Sequence, residues 1–301
     1  MSLSLINKLH QTPLAFIDVE TTGASADFGD RVIEVGIVRY ENGQPVAHLD
    51  QLIDPQRRIS PGVVALTGIS PDMVAGQPTF EQVLPRVTEL LSGAVIIGHN
   101  IRFDLSFIHC EYRRARVPFA ESLATNHVLD TLRIARRRFG RGRNGLQILS
   151  RTLGIVPPVA HRAYADAFTA AKVFEAMMEP VGGWNLDLCD VIQQQGGPMG
   201  LLPASPKESL LPLELMEALE QKGLVHMDYV DGNDSRTQRI IKPIEVKKRN
   251  GELLLVAHCQ LRDDRRTFKV ERIVQLTKVE EPPAPQPAPA ADCGGQLDLF
   301  L

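Results

Sequence analysis

Asp18 and Glu20 stand one residue apart at the end of an apolar run, Asp104 follows far downstream, and His161 precedes Asp166 by five positions. They lie in three short blocks, FIDVETTG (16–23), GHNIRFD (98–104) and HRAYAD (161–166). Carboxylate oxygens are the hard ligands that Mg²⁺ and Mn²⁺ prefer. Several converging carboxylates suit a two-metal phosphodiester hydrolase, in which paired ions clamp the attacking and leaving oxygens of an in-line displacement. A nearby histidine can take a proton from the attacking water at neutral pH. Each residue alone has a bland explanation: a solvated cap for Asp18, a helix N-terminal charge for Asp104, a surface histidine for His161, an exposed helix residue for Asp166. Jointly these explanations are poor, because Asp18 sits in an apolar run where an unpaired charge is costly.

The elements that must carry these residues are legible in outline. Leu14 to Val19 is an apolar run of strand type, and residues i and i+2 of a strand face one side, so Asp18 and Glu20 can share a cavity. Thr21, Thr22 and Gly23 end it. Residues 31–40 and 45–53 are expected as two more strands, joined by a hairpin turn at Asn42-Gly43. Glu34 falls within the first of them and should face the site or a polar partner. Thr79 is expected to cap the helix FEQVLPRVTELL, with Pro85 its weak point. Residues 94–98 should form a short buried strand leading to His99 and Asn100, with Asp104 in the first turn of the next helix. Residues 163–178 should form another helix, with Asp166 in its first turns and His161 just before it. Asp130, in LDTLRIAR, is expected to cap a helix and not to bind metal. Strands alternating with helices predict a mixed α/β sheet flanked by helices.

The three blocks resemble those of the DnaQ-like (DEDD) 3'-5' exonucleases, whose best-known members are proofreading subunits of bacterial replicases. The resemblance covers roughly residues 13–180. One branch of that family has His five residues before the last Asp, as His161 and Asp166 do; the other has Tyr where Arg162 stands. The resemblance implies a ribonuclease-H-like fold and two Mg²⁺ (or Mn²⁺) ions per site. It implies that Asp18, Glu20 and Asp166 hold the catalytic metal with the scissile phosphate. Asp18 would bridge to a second ion that Asp104 reaches directly or through water, and His161 would be the general base. Thr21, Thr22, Asn100 and Thr67 of the LTGIS block (66–70) would contact substrate at the 3' end. The implied reaction releases nucleoside 5'-monophosphates from a single-stranded or frayed 3' end of DNA, in replication or repair. An exoribonuclease of the same fold is the alternative, since 2'-OH discrimination is a pocket detail. A nucleic-acid-binding regulator with a vestigial nuclease is a third possibility, against which the intact five-residue set argues.

The chain has 301 residues and a net charge of −3. Length predicts about two domains, and attraction to nucleic acid must come from a local patch. RIARRRFGRGR (133–143) with YRRAR (112–116) is one candidate, because arginine suits phosphate. Cys110, Cys189, Cys259 and Cys293 lack metal or redox spacing and are expected as reduced thiols. No stretch has signal-peptide character or membrane-spanning length, so a cytoplasmic protein without a membrane partner is expected.

The expected organisation is a nuclease domain over 1–182, a linker over 183–212 rich in Gly, Pro and Gln, a small β-rich unit over 213–279 and a Pro/Ala tail over 280–301. A short amphipathic helix over 213–222 should open the β-rich unit. This unit resembles a WYL domain, an SH3-like β-barrel, through Tyr229, Arg239 to Pro243, and RRTFKVERI with Arg266, Phe268 and Arg272. Leu253-Leu254-Leu255 replaces the Trp-Tyr-Leu that names that family, which removes aromatic stacking there but keeps apolar area. The resemblance implies binding of nucleic acid or a nucleotide-like ligand through its arginines; a packing module is the alternative. The tail ends in QLDLFL (296–301). Gln296, Leu297, Leu299 and Phe300 resemble the short peptide by which polymerases and repair enzymes dock on the bacterial sliding clamp.

Overall fold

The structure is a computed structural model. It describes residues 4–123, 127–140, 142, 144–156, 161–201, 215, 218–219, 221–231, 235–249 and 252–279. The first sheet begins with β1 (Leu14–Thr21), β2 (Val32–Glu41) and β3 (Gln44–Leu52). Asn42 and Gly43, at φ 53° and 73°, make the turn between the last two with both central residues left-handed, as a tight hairpin requires. Then follow α1 (Pro61–Thr67), α2 (Pro71–Val74), α3 (Phe80–Leu91) and β4 (Val95–Gly98). Pro85 does not break α3, whose Val83, Leu84, Val87, Leu90 and Leu91 are buried along one face. Next come α4 (Arg102–Arg114), α5 (Phe119–Leu123), β5 (Val128–Asp130), α6 (Thr131–Phe139), α7 (Leu146–Thr152) and α8 (Ala163–Met178).

The strand order is β3-β2-β1-β4-β5, with the first three antiparallel and β1, β4 and β5 parallel. Alternation along β1 divides the core between two faces. Ala15, Ile17 and Val19 join the cluster that holds α3, α4 and α5, whereas Leu14 and Phe16 join the cluster that holds α6 and α8. Asp18 and Glu20 continue the parity of Leu14 and Phe16, so they face the α8 side. This is the ribonuclease-H-like mixed sheet expected from the sequence.

The linker expected over 183–212 is corrected in its first half. Residues 188–194 form α9 (Leu188–Gln194), whose Leu188, Val191 and Ile192 are buried in the core that also holds α6 and α8. The Gln195 side chain accepts from the Asp130 amide at 2.9 Å and donates to the Val128 carbonyl at 3.0 Å. The Val128 amide donates to the Met199 carbonyl, and Met199 and Leu201 are buried. A polar-looking stretch thus covers the backbone groups of edge strand β5, which would otherwise lie unpaired. Residues 202–212 lie outside the described residues.

The second sheet is antiparallel, with β6 (Val225–Val230), β7 (Arg236–Arg249), β8 (Glu252–Cys259), β9 (Asp264–Lys269) and β10 (Ile273–Lys278) in the order β10-β6-β7-β8-β9. It has its own core, to which Leu215 and Ala218 contribute from the helix expected over 213–222. Leu255 is fully buried there, so the Leu-Leu-Leu departure keeps its packing role. Tyr229 and Phe268 meet edge to face at 5.1 Å, and Arg239 lies over the Phe268 ring. β10 packs on α1 of the first body. Among the described residues no helix is long and apolar enough to cross a membrane. The tail with Gln296, Leu297, Leu299 and Phe300 lies outside the described residues.

Candidate active site

Asp18, Glu20, Asp104, His161 and Asp166 line one cavity of about 410 Å³. β1 delivers the first pair. Asp104 arrives from the first turn of α4, and its Oδ1 accepts the Val19 amide at 3.0 Å, fastening the helix start to the strand between the paired acids. Asp166 arrives from the first turn of α8, held by Gln147 Nε2 at 2.7 Å and the His161 amide at 3.2 Å. Asp104 and Asp166 are buried, Asp18 and Glu20 half-buried, and His161 exposed at the rim. His161 has φ 59°, a left-handed conformation uncommon for a residue with a side chain. Strain of this kind persists where the surroundings over-determine it.

Two contacts place α8. Glu34 of β2, fully buried, accepts from Arg162 Nε at 2.8 Å, from its Nη2 at 2.5 Å and from the Ala163 amide at 2.8 Å. The expectation that Glu34 meets a polar partner is met by the residue at the mouth of the helix carrying Asp166. Gly36 pairs with Asp18 in the ladder, and a Cβ there would lie 2.1 Å from the Tyr164 amide nitrogen. Only glycine lets α8 approach β2 so closely.

Burial first, and neighbouring charge second, raises each of the four carboxylates. Burial, then the charges of Asp104, Asp166 and Glu20, push Asp18 well above its usual range. Burial and then Asp166 push Glu20 up to about 8. Burial raises Asp104 against the opposing hydrogen bond from Val19, and raises Asp166 to about 6 against those from His161 and Gln147. Burial lowers His161, which keeps its imidazole neutral at physiological pH. Four oxygen-donor side chains repelling one another in one cleft fit a divalent cation, whose charge would relieve the repulsion. Ligand atoms of Glu20, His161 and Asp166 lie within 4.8 Å of one another. That grouping has His161 where the sequence resemblance put Asp18.

The softer substrate residues divide. Thr21, Thr67 and Asn100 line the cavity. Thr22 does not: its hydroxyl donates to Asp30 Oδ1 at 3.2 Å and accepts the Arg31 amide at 3.0 Å, which makes it a brace of the loop after β1. Asn100, at φ 66°, donates its amide to Asp130 Oδ1, which also caps α6 through the Leu132 amide. Asp130 therefore orders the loop before α4, in keeping with a capping role. The arginine patch is partly used by the fold: Arg114 pairs with Glu111 at 3.1 Å, and Arg138 donates to the Met177 carbonyl. In the second sheet Arg239 donates to Thr237 and Arg266 is exposed. Sequence reasoning missed Gln147, Gly36 and the residues of β10 that line the cavity, Ile273, Val274 and Leu276. Gln147 lies in a helix with no motif around it, and the others matter through packing of segments far apart in the chain.

Residues 15–174 match the family described as Exonuclease (RNase_T), and residues 212–278 match the WYL domain. The chain is 31% identical to DNA polymerase III PolC-type of Caldanaerobacter subterraneus subsp. tengcongensis over 251 residues, 81% of this chain and 17% of that protein. It is 34% identical to DNA polymerase III PolC-type of Staphylococcus aureus over 163 residues, 54% of this chain and 11% of that one. The chain thus spans less than a fifth of the length of these curated relatives. A solved structure of Exonuclease I, described as suggesting how processivity is achieved, shares the fold at a TM-score of 0.52 and 19% identity, over 82% of this chain and 55% of that one. A 3'-exonuclease described by its 3'-end-specific recognition of a histone mRNA stem-loop shares it at 0.50 and 18% identity, over 60% of this chain and 68% of that one. With the acidic cleft built on the same sheet, the chain belongs to the DnaQ-like exonuclease family and carries a WYL domain behind the nuclease fold.

Proposed function

We propose that this protein is a divalent-metal-dependent 3'-5' exonuclease that hydrolyses DNA from a single-stranded or frayed 3' end to nucleoside 5'-monophosphates, in replication or repair. The observation that carries this reading is the convergence of Asp18, Glu20, Asp104 and Asp166 from three separate elements on one cleft with His161 at its rim. Asp18, Glu20, Asp104 and Asp166 would hold two Mg²⁺ or Mn²⁺ ions, which when bound stabilise the charge that develops on the phosphate oxygens. His161, neutral and near Glu20 and Asp166, takes the proton of the attacking water. Gln147 holds the Asp166 carboxylate in orientation. Thr21, Thr67 and Asn100 contact the terminal nucleotide. The names of the PolC-type relatives support DNA as substrate. So does the C-terminal Gln296-Leu297-Asp298-Leu299-Phe300, which we assign to docking on a bacterial sliding clamp through its apolar anchors.

The test is a 5'-labelled single-stranded DNA and an RNA of equal sequence, each incubated with Mg²⁺ or with EDTA. A ladder shortening from the 3' end of the DNA, dependent on metal, is expected. Asp18→Ala should reduce the rate by orders of magnitude and His161→Ala by roughly 10²–10⁴-fold. Digestion in EDTA, or full activity in Asp18→Ala, overturns the assignment. Preference for the RNA makes the protein an exoribonuclease using the same residues.

A further inference from the structure

The second sheet reaches the catalytic cleft. Ile273, Val274 and Leu276 of β10 line the same cavity as the carboxylates. Three independent features produce this. β10 is the edge strand of its sheet. Its register against β6 shifts between Ile273 and Gln275, which leaves Val274 as the extra residue of a β-bulge. Bulges re-aim a side chain and are common beside active sites. Finally, Gly62 of α1 has no side chain where β10 arrives: a Cβ there would lie 2.6 Å from Val274 Cγ1. A missing side chain on one body and a bulged valine on the other fit together beside an acidic floor. Leu66 and Thr67 of α1 line the same cavity, and Leu66 is partly exposed there.

We propose that β10, through the half-buried Val274 backed by Ile273 and Leu276 of the second core, forms an apolar wall of the pocket for the 3'-terminal nucleobase, so that the WYL domain is part of the nuclease active site. This rests on the 3'-exonuclease reading. The chemistry suits a base: every nucleobase offers an apolar face, and contact with that face tolerates any sequence. The phosphate goes to the acidic floor with its cations, and the base to the α1–β10 side. The wall also gives the β-rich unit a role at the site, different from both the arginine-mediated binding and the packing role expected from the sequence.

The test is a cycle between a protein variant and a substrate variant, in the full chain with Mg²⁺. Val274→Ala and wild type are each assayed on a single-stranded DNA with an ordinary 3' nucleotide and on one whose 3' residue is abasic. Removing two carbons from the wall should raise KM on the ordinary end roughly tenfold, with kcat changed less. On the abasic end the two proteins should have the same KM. Val274→Thr, which keeps the shape and replaces one methyl with a hydroxyl, should move KM in the same direction and carries the comparison if Val274→Ala melts early. An equal change on both substrates, no change on either, or faster turnover of both overturns the proposal; the last result would make β10 an obstruction. Failure of the wild type to shorten any 3' end removes the exonuclease reading and this inference with it. A wild type that is active but shows no coupling between residue 274 and the terminal base overturns the inference alone.

Discussion

The Glu34 carboxylate is fully buried and grips the guanidinium of Arg162, which is itself one-third exposed. The pair ties the start of β2 to the entrance of α8. The two ends of this bond are unequal. Arg162→Met leaves a carboxylate buried with only the Ala163 amide to satisfy it, a loss of roughly 3–5 kcal/mol. Glu34→Gln keeps a polar group in place, and Arg162 can turn to solvent, a loss of about 1–2 kcal/mol. Urea denaturation of both variants checks the order, and a larger loss in Glu34→Gln would contradict it.

Gly36→Ala should be severe for activity. The added Cβ meets backbone of α8 and not a side chain that could swing away. Forced separation costs about 1–3 kcal/mol of stability and moves Asp166 relative to Asp18. A kcat lowered about a hundredfold, in line with the sensitivity of catalysis to small misplacements, is expected with the secondary structure retained by circular dichroism. Wild-type kcat in this variant would show that the close approach does not set the site.

The metal-free protein should gain stability when Glu20 is neutralised. Glu20 is held at about 8, above its ordinary 4.5, so the folded state binds its proton more tightly than the unfolded state. The resulting stability is fully present below pH 4.5 and is lost as pH rises through 8. Glu20→Gln should therefore melt later than wild type at pH 8.5 in EDTA and alike at pH 4.5, while being inactive. Mg²⁺ should raise the melting temperature of wild type more at pH 8.5 than at pH 5.5. Melting curves over this grid decide it, and no pH-dependent gap in EDTA would refute the combined burial and charge repulsion described here.

His99 acts with the opposite sign. It is buried, its Nδ1 lies 2.9 Å from Thr131 Oγ1, and burial lowers it to about 4. Its folded value is below the unfolded one of about 6.5, so stability is lost as pH falls from 6.5 towards 4, by up to roughly 3 kcal/mol. His99→Gln should flatten this acid limb. Denaturation midpoints at pH 7, 5.5 and 4.5 in both proteins measure it, and parallel pH profiles would rule His99 out.

Deletion of residues 296–301 should abolish binding to a bacterial sliding clamp and any stimulation of digestion by it. Digestion of free oligonucleotides should be unchanged. A titration giving both proteins the same clamp affinity would sink the docking role.

Much of the nuclease fold was readable because its signals are local. The apolar run before Asp18, the Asn-Gly turn and the helical stretch after His161 each constrain their own segment. The cleft was readable where residue type alone restricts the chemistry, as for five titratable groups in ordered blocks. Thr22 was misjudged because a threonine after a strand is equally suited to a loop brace. The 183–201 stretch was misjudged because composition does not show that Gln195 fills the hydrogen bonds of an edge strand. Gly36, Gln147 and Val274 act only through neighbours supplied by distant parts of the chain, and no window of sequence contains both members of those contacts.

The acids of the cleft arrive from β1, α4 and α8, so the last of them is Asp166. During synthesis on a ribosome, an emerging chain therefore carries no complete hydrolytic centre until α8 has left the exit tunnel and seated against β2. Chains ending before that helix lack one of the four carboxylates on which the proposed hydrolysis rests. The order of assembly thus withholds the final candidate ligand until the first sheet and its helices are nearly whole.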